Sequence, residues 1–122
     1  MRVLVADDNI DAADTLGDLL DAMGCQVQVT YDGEQAVNAA PAFAPDLVFL
    51  DIGMPRLDGY GAARALRAMP AMDGVKLVAL TGWGAEDDRA RTGAAGFDHH
   101  LLKPASPEQV AAVLATATPA SR

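Results

Sequence analysis

The sequence predicts an α/β fold: a doubly wound, five-stranded parallel sheet with five helices on its two faces. Two patterns point there. Short β-branched runs alternate five times with longer, mostly Ala-rich amphipathic runs, joined by brief links. Several of the short runs are apolar from end to end, as strands buried on both faces must be. Right-handed crossovers then leave a two-faced open sheet as the favoured topology. The 122 residues, 51% of them hydrophobic, suit one domain over 1–122 with a core large enough to fold without covalent staples.

RVLVA (2–6) opens the sheet. NIDAADTLGDLLDAMG follows as a helix, with Ile10, Ala13, Leu16, Leu20 and Met23 on one face and Asp11, Asp14, Asp18 and Asp21 on the other. Asp8 or Asn9 caps its start, and Gly24 closes it. QVQVT (26–30) alternates as a second strand, and Asp32 caps a helix over 33–40 that Pro41 is expected to end. DLVFL (46–50) is the third strand. Asp58 caps a helix over 59–69, stopped by Pro70, and VKLVAL (75–80) is the fourth strand. Residues 85–95 read as a fourth helix, weakened by Thr92 and Gly93 but with acids first and Arg89 and Arg91 later, as the helix dipole prefers. DHHLLK (98–103) is the fifth strand. Ser106, Pro107 and Gln109 form a capping box at the start of a last helix, and the tail TPASR is expected to fray.

Ligands of such sheets bind beyond the carboxyl ends of the strands. Those ends carry Asp7-Asp8 on the first strand, Asp51 on the third, Thr81-Gly82 on the fourth and Lys103-Pro104 on the fifth. If the first and third strands are neighbours, three carboxylates share one pocket with a hydroxyl and an ammonium. Two unit charges about 4 Å apart repel by roughly 4 kcal/mol at an effective dielectric near 20. A hard divalent cation offsets this, and an all-oxygen ligand set favours Mg²⁺, with Mn²⁺ in the same class.

Phosphoryl transfer accounts for groups of such different kinds. It needs an in-line nucleophile and cations on the equatorial oxygens. Asp51 is the nucleophile candidate. Asp8 and the backbone carbonyl of Gly53 would hold the metal, with Asp7 acting through metal-bound water. Lys103 and Thr81 would take phosphoryl oxygens, and Gly53 and Pro55 shape a tight turn that keeps Asp51 at the lip.

The formal net charge of −8 argues against direct nucleic-acid contact and against an anionic membrane surface. No apolar run approaches the ~20 residues of a membrane span. MRVLVADDN turns acidic too soon for a signal peptide. The lone Cys25 reads as a small buried hydrophobe and fits a reducing compartment, so the cytoplasm is the expected location.

The ordered set VLVADDN, DLVFLDIGMPRLDG, LVALTG and HLLKP resembles the receiver domain of two-component response regulators over essentially the whole chain. The resemblance implies strand order 2-1-3-4-5, the flavodoxin-like arrangement. It implies that Asp51 accepts a phosphoryl group from a phosphohistidine of a cognate histidine kinase or histidine phosphotransfer protein. Asp7 and Asp8 match the family's acidic pair, Thr81 its switch hydroxyl and Lys103 its lysine. The family's Thr moves toward the phosphoryl group while the surface of the fourth helix, fifth strand and fifth helix rearranges for a downstream protein target or onward transfer. A cis Lys103-Pro104 bond and slow self-catalysed dephosphorylation are further implications, so the chain is expected to be a phosphoacceptor switch, not a conventional enzyme. GFDHHLLKP is especially similar to receivers fused to hybrid histidine kinases or standing alone. One position departs: His100 stands three residues before the lysine, where receivers often carry a Tyr or Phe rotamer switch. That places the aromatic coupling in question or hands it to a ring that titrates near neutral pH.

Adjacent residues of a strand face opposite sides, so His99 and His100 do not form a shared zinc site. Trp83 is expected as a lip over Asp51. Two rival functions are weighed. A phosphatase with an aspartyl nucleophile wants Asp-x-Asp after its first strand, and here the third residue is Asn9. A flavin module wants a Ser/Thr/Gly phosphate loop there, and DDNID would repel phosphate.

Overall fold

The structure, a computed structural model, describes residues 1–54, 56–82 and 93–117. Five parallel strands form one sheet in the order β2-β1-β3-β4-β5: β1 (Arg2–Ala6), β2 (Gln26–Thr30), β3 (Leu47–Asp51), β4 (Lys76–Thr81) and β5 (His99–Leu102). β1 therefore lies beside β3, the neighbour relation that the clustering of carboxylates requires.

Period-two alternation divides the core. Leu4, Ala6, Val48, Leu50, Leu77 and Ala79 point to one face, covered by α2 (Gly33–Phe43) and α3 (Gly59–Arg67). Val3, Val5, Leu47, Phe49, Val78 and Leu80 point to the other, covered by α1 (Ile10–Ala22) and the C-terminal helix (Pro107–Leu114). Each fully buried Leu, Val or Phe contributes about 1.5–3 kcal/mol over an exposed one.

The predicted caps form. The Asn9, Asp32 and Asp58 side chains accept from the N–H groups of Ala12, Gln35 and Gly61 at 3.0, 2.7 and 2.8 Å. Ser106 and Gln109 exchange both bonds of the capping box. Gly24 takes φ 89° just past α1, a conformation that suits a residue without Cβ.

Several expectations are corrected. Pro41 does not end α2, which runs to Phe43 before Ala44 closes it in the left-handed region. A proline this near the end forfeits one bond, while Phe43 still gains by packing on the core. α3 stops at Arg67, and Pro70 opens a separate 3-10 turn, Pro70–Met72. Ile10, the first residue of α1, and Met23, its C-cap, are 58% and 36% exposed, and the helix buries Ala13, Gly17 and Leu20 between them. Three strands shift by a residue or two: β3 spans Leu47–Asp51, β4 Lys76–Thr81 and β5 His99–Leu102. The expected helix over 85–95 falls mostly outside the described residues, which resume in helical backbone at 93–95. Pro55, Trp83 and the tail from 118 also lie outside them. No helix among the described residues is long and apolar enough to cross a membrane.

Candidate functional site

The carboxyl ends of β1 and β3 bring Asp7, Asp8 and Asp51 together. One carboxylate oxygen from each lies within 4.8 Å of the others. Asp7 and Asp51 are 2% and 6% exposed, and Asp8 is open to solvent. Two backbone groups hold the buried pair: Asn9 N–H donates to Asp7 Oδ1 at 3.0 Å, and Gly53 N–H donates to Asp51 Oδ1 at 3.2 Å. Asp51 is fixed from behind as well. Ile52 N–H donates to the Leu80 carbonyl at 3.1 Å, and Gly59 N–H to the Ile52 carbonyl at 3.1 Å. A Cβ on Gly59 would come within 2.6 Å of the Asp51 carbonyl oxygen, so the start of α3 sits against this turn only because residue 59 has no side chain.

Lys103 reaches in from the end of β5. Its Nζ lies 2.9 Å from Asp7 Oδ2 and 3.2 Å from Asp51 Oδ2, bridging the two buried acids. The Lys103-Pro104 bond is cis, as the resemblance implied, and the Lys103 N–H donates to the Thr81 carbonyl at 2.7 Å. Thr81, 4% exposed at the end of β4, places its Oγ 3.0 Å from His100 Nε2 on β5. His99 faces the opposite side, its Nε2 2.9 Å from Thr116 Oγ, so the two rings part as their strand positions dictate.

The electrostatics follow from burial and crowding. Asp51 is pushed up to about 6, first by burial, then by the charge of Asp7 and a hydrogen bond with Asp8; the Gly53 N–H and Lys103 oppose this only in part. Burial pulls the Lys103 ammonium down, but its bond to Asp7 and the nearby Asp51 charge outweigh that and leave it raised. One ammonium, paired with two of them, thus stands against three clustered carboxylates, and the unbalanced negative charge fits a hard dication. Gly53 adjoins the cluster, exposed, where a main-chain oxygen can complete such an all-oxygen set.

All five side chains predicted from the strand ends lie at this rim. The ion bridge from Lys103 to both acids was not legible in the sequence, nor was the Thr81–His100 contact. Asn9 caps α1 with its side chain, and its N–H also orients Asp7. The spacing of a residue two after a buried Asp is the signal for such a bond. A groove of about 510 Å³ opens beside Asp7 and Lys103, bounded by Asn9, Leu16, Pro104 and Ala105.

Comparison with known proteins agrees with this geometry. The family model described as the response regulator receiver domain matches residues 3–115. Transcriptional regulatory protein PrrA of Mycobacterium tuberculosis is 40% identical over 103 residues, 84% of this chain and 43% of that protein. Sensor protein GacS of Pseudomonas syringae is 37% identical over 116 residues, 93% of this chain and 13% of that protein. The chain thus spans less than half the length of either relative. Among solved structures, the receiver domain of sensor histidine kinase PA1611 from Pseudomonas aeruginosa, with a magnesium ion coordinated in its active-site cleft, superposes with TM-score 0.85 at 31% identity, covering 93% of each chain. With the family model matching nearly its whole length, this chain belongs to the response regulator receiver domains of two-component signalling.

Proposed function

We propose that the chain is a phosphoacceptor switch whose Asp51 takes a phosphoryl group from a phosphohistidine on a sensor kinase or phosphotransfer protein. The observation that carries this is the convergence of Asp7, Asp8, Asp51 and Lys103 within one small space. An Asp51 carboxylate oxygen attacks phosphorus, the phosphorus–nitrogen bond breaks, and the imidazole leaves as neutral histidine after taking up a proton. Water attacking the same phosphorus later returns inorganic phosphate and the free carboxylate.

Lys103, held charged by its two acids, pairs with the incoming phosphoryl oxygens where it now pairs with Asp51. The buried Thr81 hydroxyl donates to another of those oxygens. Asp8, Asp51 and the Gly53 carbonyl would hold Mg²⁺, with Asp7 behind a water. When bound, the ion supplies the positive charge that lets Asp51 stay ionised beside its neighbours and neutralises the transferring group. The protein donor docks over the rim, where α1 begins with the exposed Ile10 and the groove runs toward Ala105. Output leaves from the β5 side, by binding a partner or by passing the group onward. The acidic surface is the reason for expecting protein partners and not nucleic acid.

The test is uptake of acid-labile label from acetyl phosphate or a phosphorylated histidine kinase, with and without Mg²⁺. Wild type labels only with the metal, and Asp51→Asn does not label. Equal labelling of the variant overturns the proposal.

A further inference from the structure

The Thr81 hydroxyl is engaged on the far side of its strand from Asp51. The sheet order places β4 between β3, which ends in Asp51, and β5, which carries His100. Register puts His100 opposite Ala79, two residues before Thr81 on the same face, and the hydroxyl oxygen reaches across to within 3.0 Å of the imidazole Nε2. Whichever group donates, this bond directs the oxygen toward β5. A phosphoryl group on Asp51 lies toward β3.

We infer that His100 is a positioning residue that competes with the phosphoryl group for the Thr81 hydroxyl and so holds the switch in its resting state. The inference rests on the phosphoacceptor reading and adds its regulation. The competition operates in the tautomer whose Nε2 carries no proton and accepts from the hydroxyl, because a hydroxyl has one proton to give. Turning it to a phosphoryl oxygen breaks or remakes the bond to His100, at a cost typical of a single net hydrogen bond, which corresponds to about two- to tenfold in an equilibrium. A Phe ring at position 100 offers no nitrogen to bind the hydroxyl and imposes no such cost.

The experiment measures affinity for beryllium trifluoride, a phosphoryl mimic, in the presence of Mg²⁺. His100→Phe keeps an aromatic ring but loses the nitrogen, and it should bind about two- to tenfold tighter than wild type. His100→Gln, whose amide reaches the Nε2 position, should restore wild-type affinity. In a Thr81→Ala background, His100→Phe should change nothing. Unchanged or weaker binding by His100→Phe, or the same gain without Thr81, overturns the inference while wild-type binding leaves the phosphoacceptor reading standing. Failure of wild type to bind the mimic overturns both. A readout free of mutation is the ¹⁵N shift of the ring nitrogens. The His100 Nε2 signal should move on adding the mimic while that of His99, bonded to Thr116, stays. A static His100 signal would also refute the competition.

Discussion

Asp51 has two competing requirements. It must be buried enough to sit under a donor, yet ionised enough to attack one. Burial and the Asp7 charge raise it from 3.8 to about 6, so the folded chain keeps its proton to a higher pH than the unfolded chain does. Stability therefore falls as pH rises through that window, and above pH 6 the whole penalty remains. In chelator, Asp51→Asn should be more stable than wild type at neutral pH by on the order of 1–3 kcal/mol, and the gap should close as pH falls toward 4. Denaturant unfolding of both proteins across that range measures it. A gap that is constant with pH would mean the crowding at Asp51 is not felt as charge. Lys103 shows why a sequence reveals only part of such a site. Its place at a strand end was legible, because a cation after an apolar strand stands out. That it touches both Asp7 and Asp51 depends on β5 lying two strands from β3 and on the backbone bond to Thr81, neither of which is local in the chain.

At the scale of elements, the start of α3 acts as a backstop for the acceptor turn. Gly59→Ala would drive a Cβ to 2.6 Å from the Asp51 carbonyl oxygen and 2.7 Å from Ile52 Cα, both main-chain atoms that cannot swing aside. We expect a loss of about 1–3 kcal/mol in stability, read by thermal melting, together with slower labelling of Asp51. The front of α1 makes a different prediction. Its first residue, Ile10, was expected in the core on periodicity alone but projects outward at the rim. Periodicity reports which residues share a face; it does not report how far along the helix that face stays covered. Ile10→Ala should slow transfer from a phosphorylated protein donor several-fold more than transfer from acetyl phosphate, in a side-by-side rate comparison. Equal slowing would place the residue's role in folding instead of docking. Pro41 makes a related point within α2: its backbone chemistry argues for a stop, and Phe43 packing beyond it prevails.

Across the whole molecule, alternation of apolar strands and amphipathic helices gave the layers, and the layers gave the rim where the charges meet. The strand order itself required the family resemblance. Long-range clips were invisible: Asp98 accepts from Leu77 N–H at 2.9 Å and pairs with Arg67 at 2.7 Å, tying α3 to the sheet across widely separated stretches of chain. The fold thus holds its acidic rim under strain from like charge, and a bound dication should be felt globally. Mg²⁺ at about 100 times its dissociation constant should raise stability by about 2.7 kcal/mol, seen as an upward shift in melting temperature that Asp8→Asn diminishes. A melting temperature indifferent to the metal would contradict the ligand set.

The most direct measurement is chemical mapping of the phosphorylated residue. Hydride reduction of an acyl phosphate converts an aspartyl phosphate to homoserine, which peptide mass spectrometry locates. The account predicts homoserine at position 51 alone, formed only when a phosphodonor and Mg²⁺ are both present. Conversion at another residue, or none at 51 under labelling conditions, would contradict it.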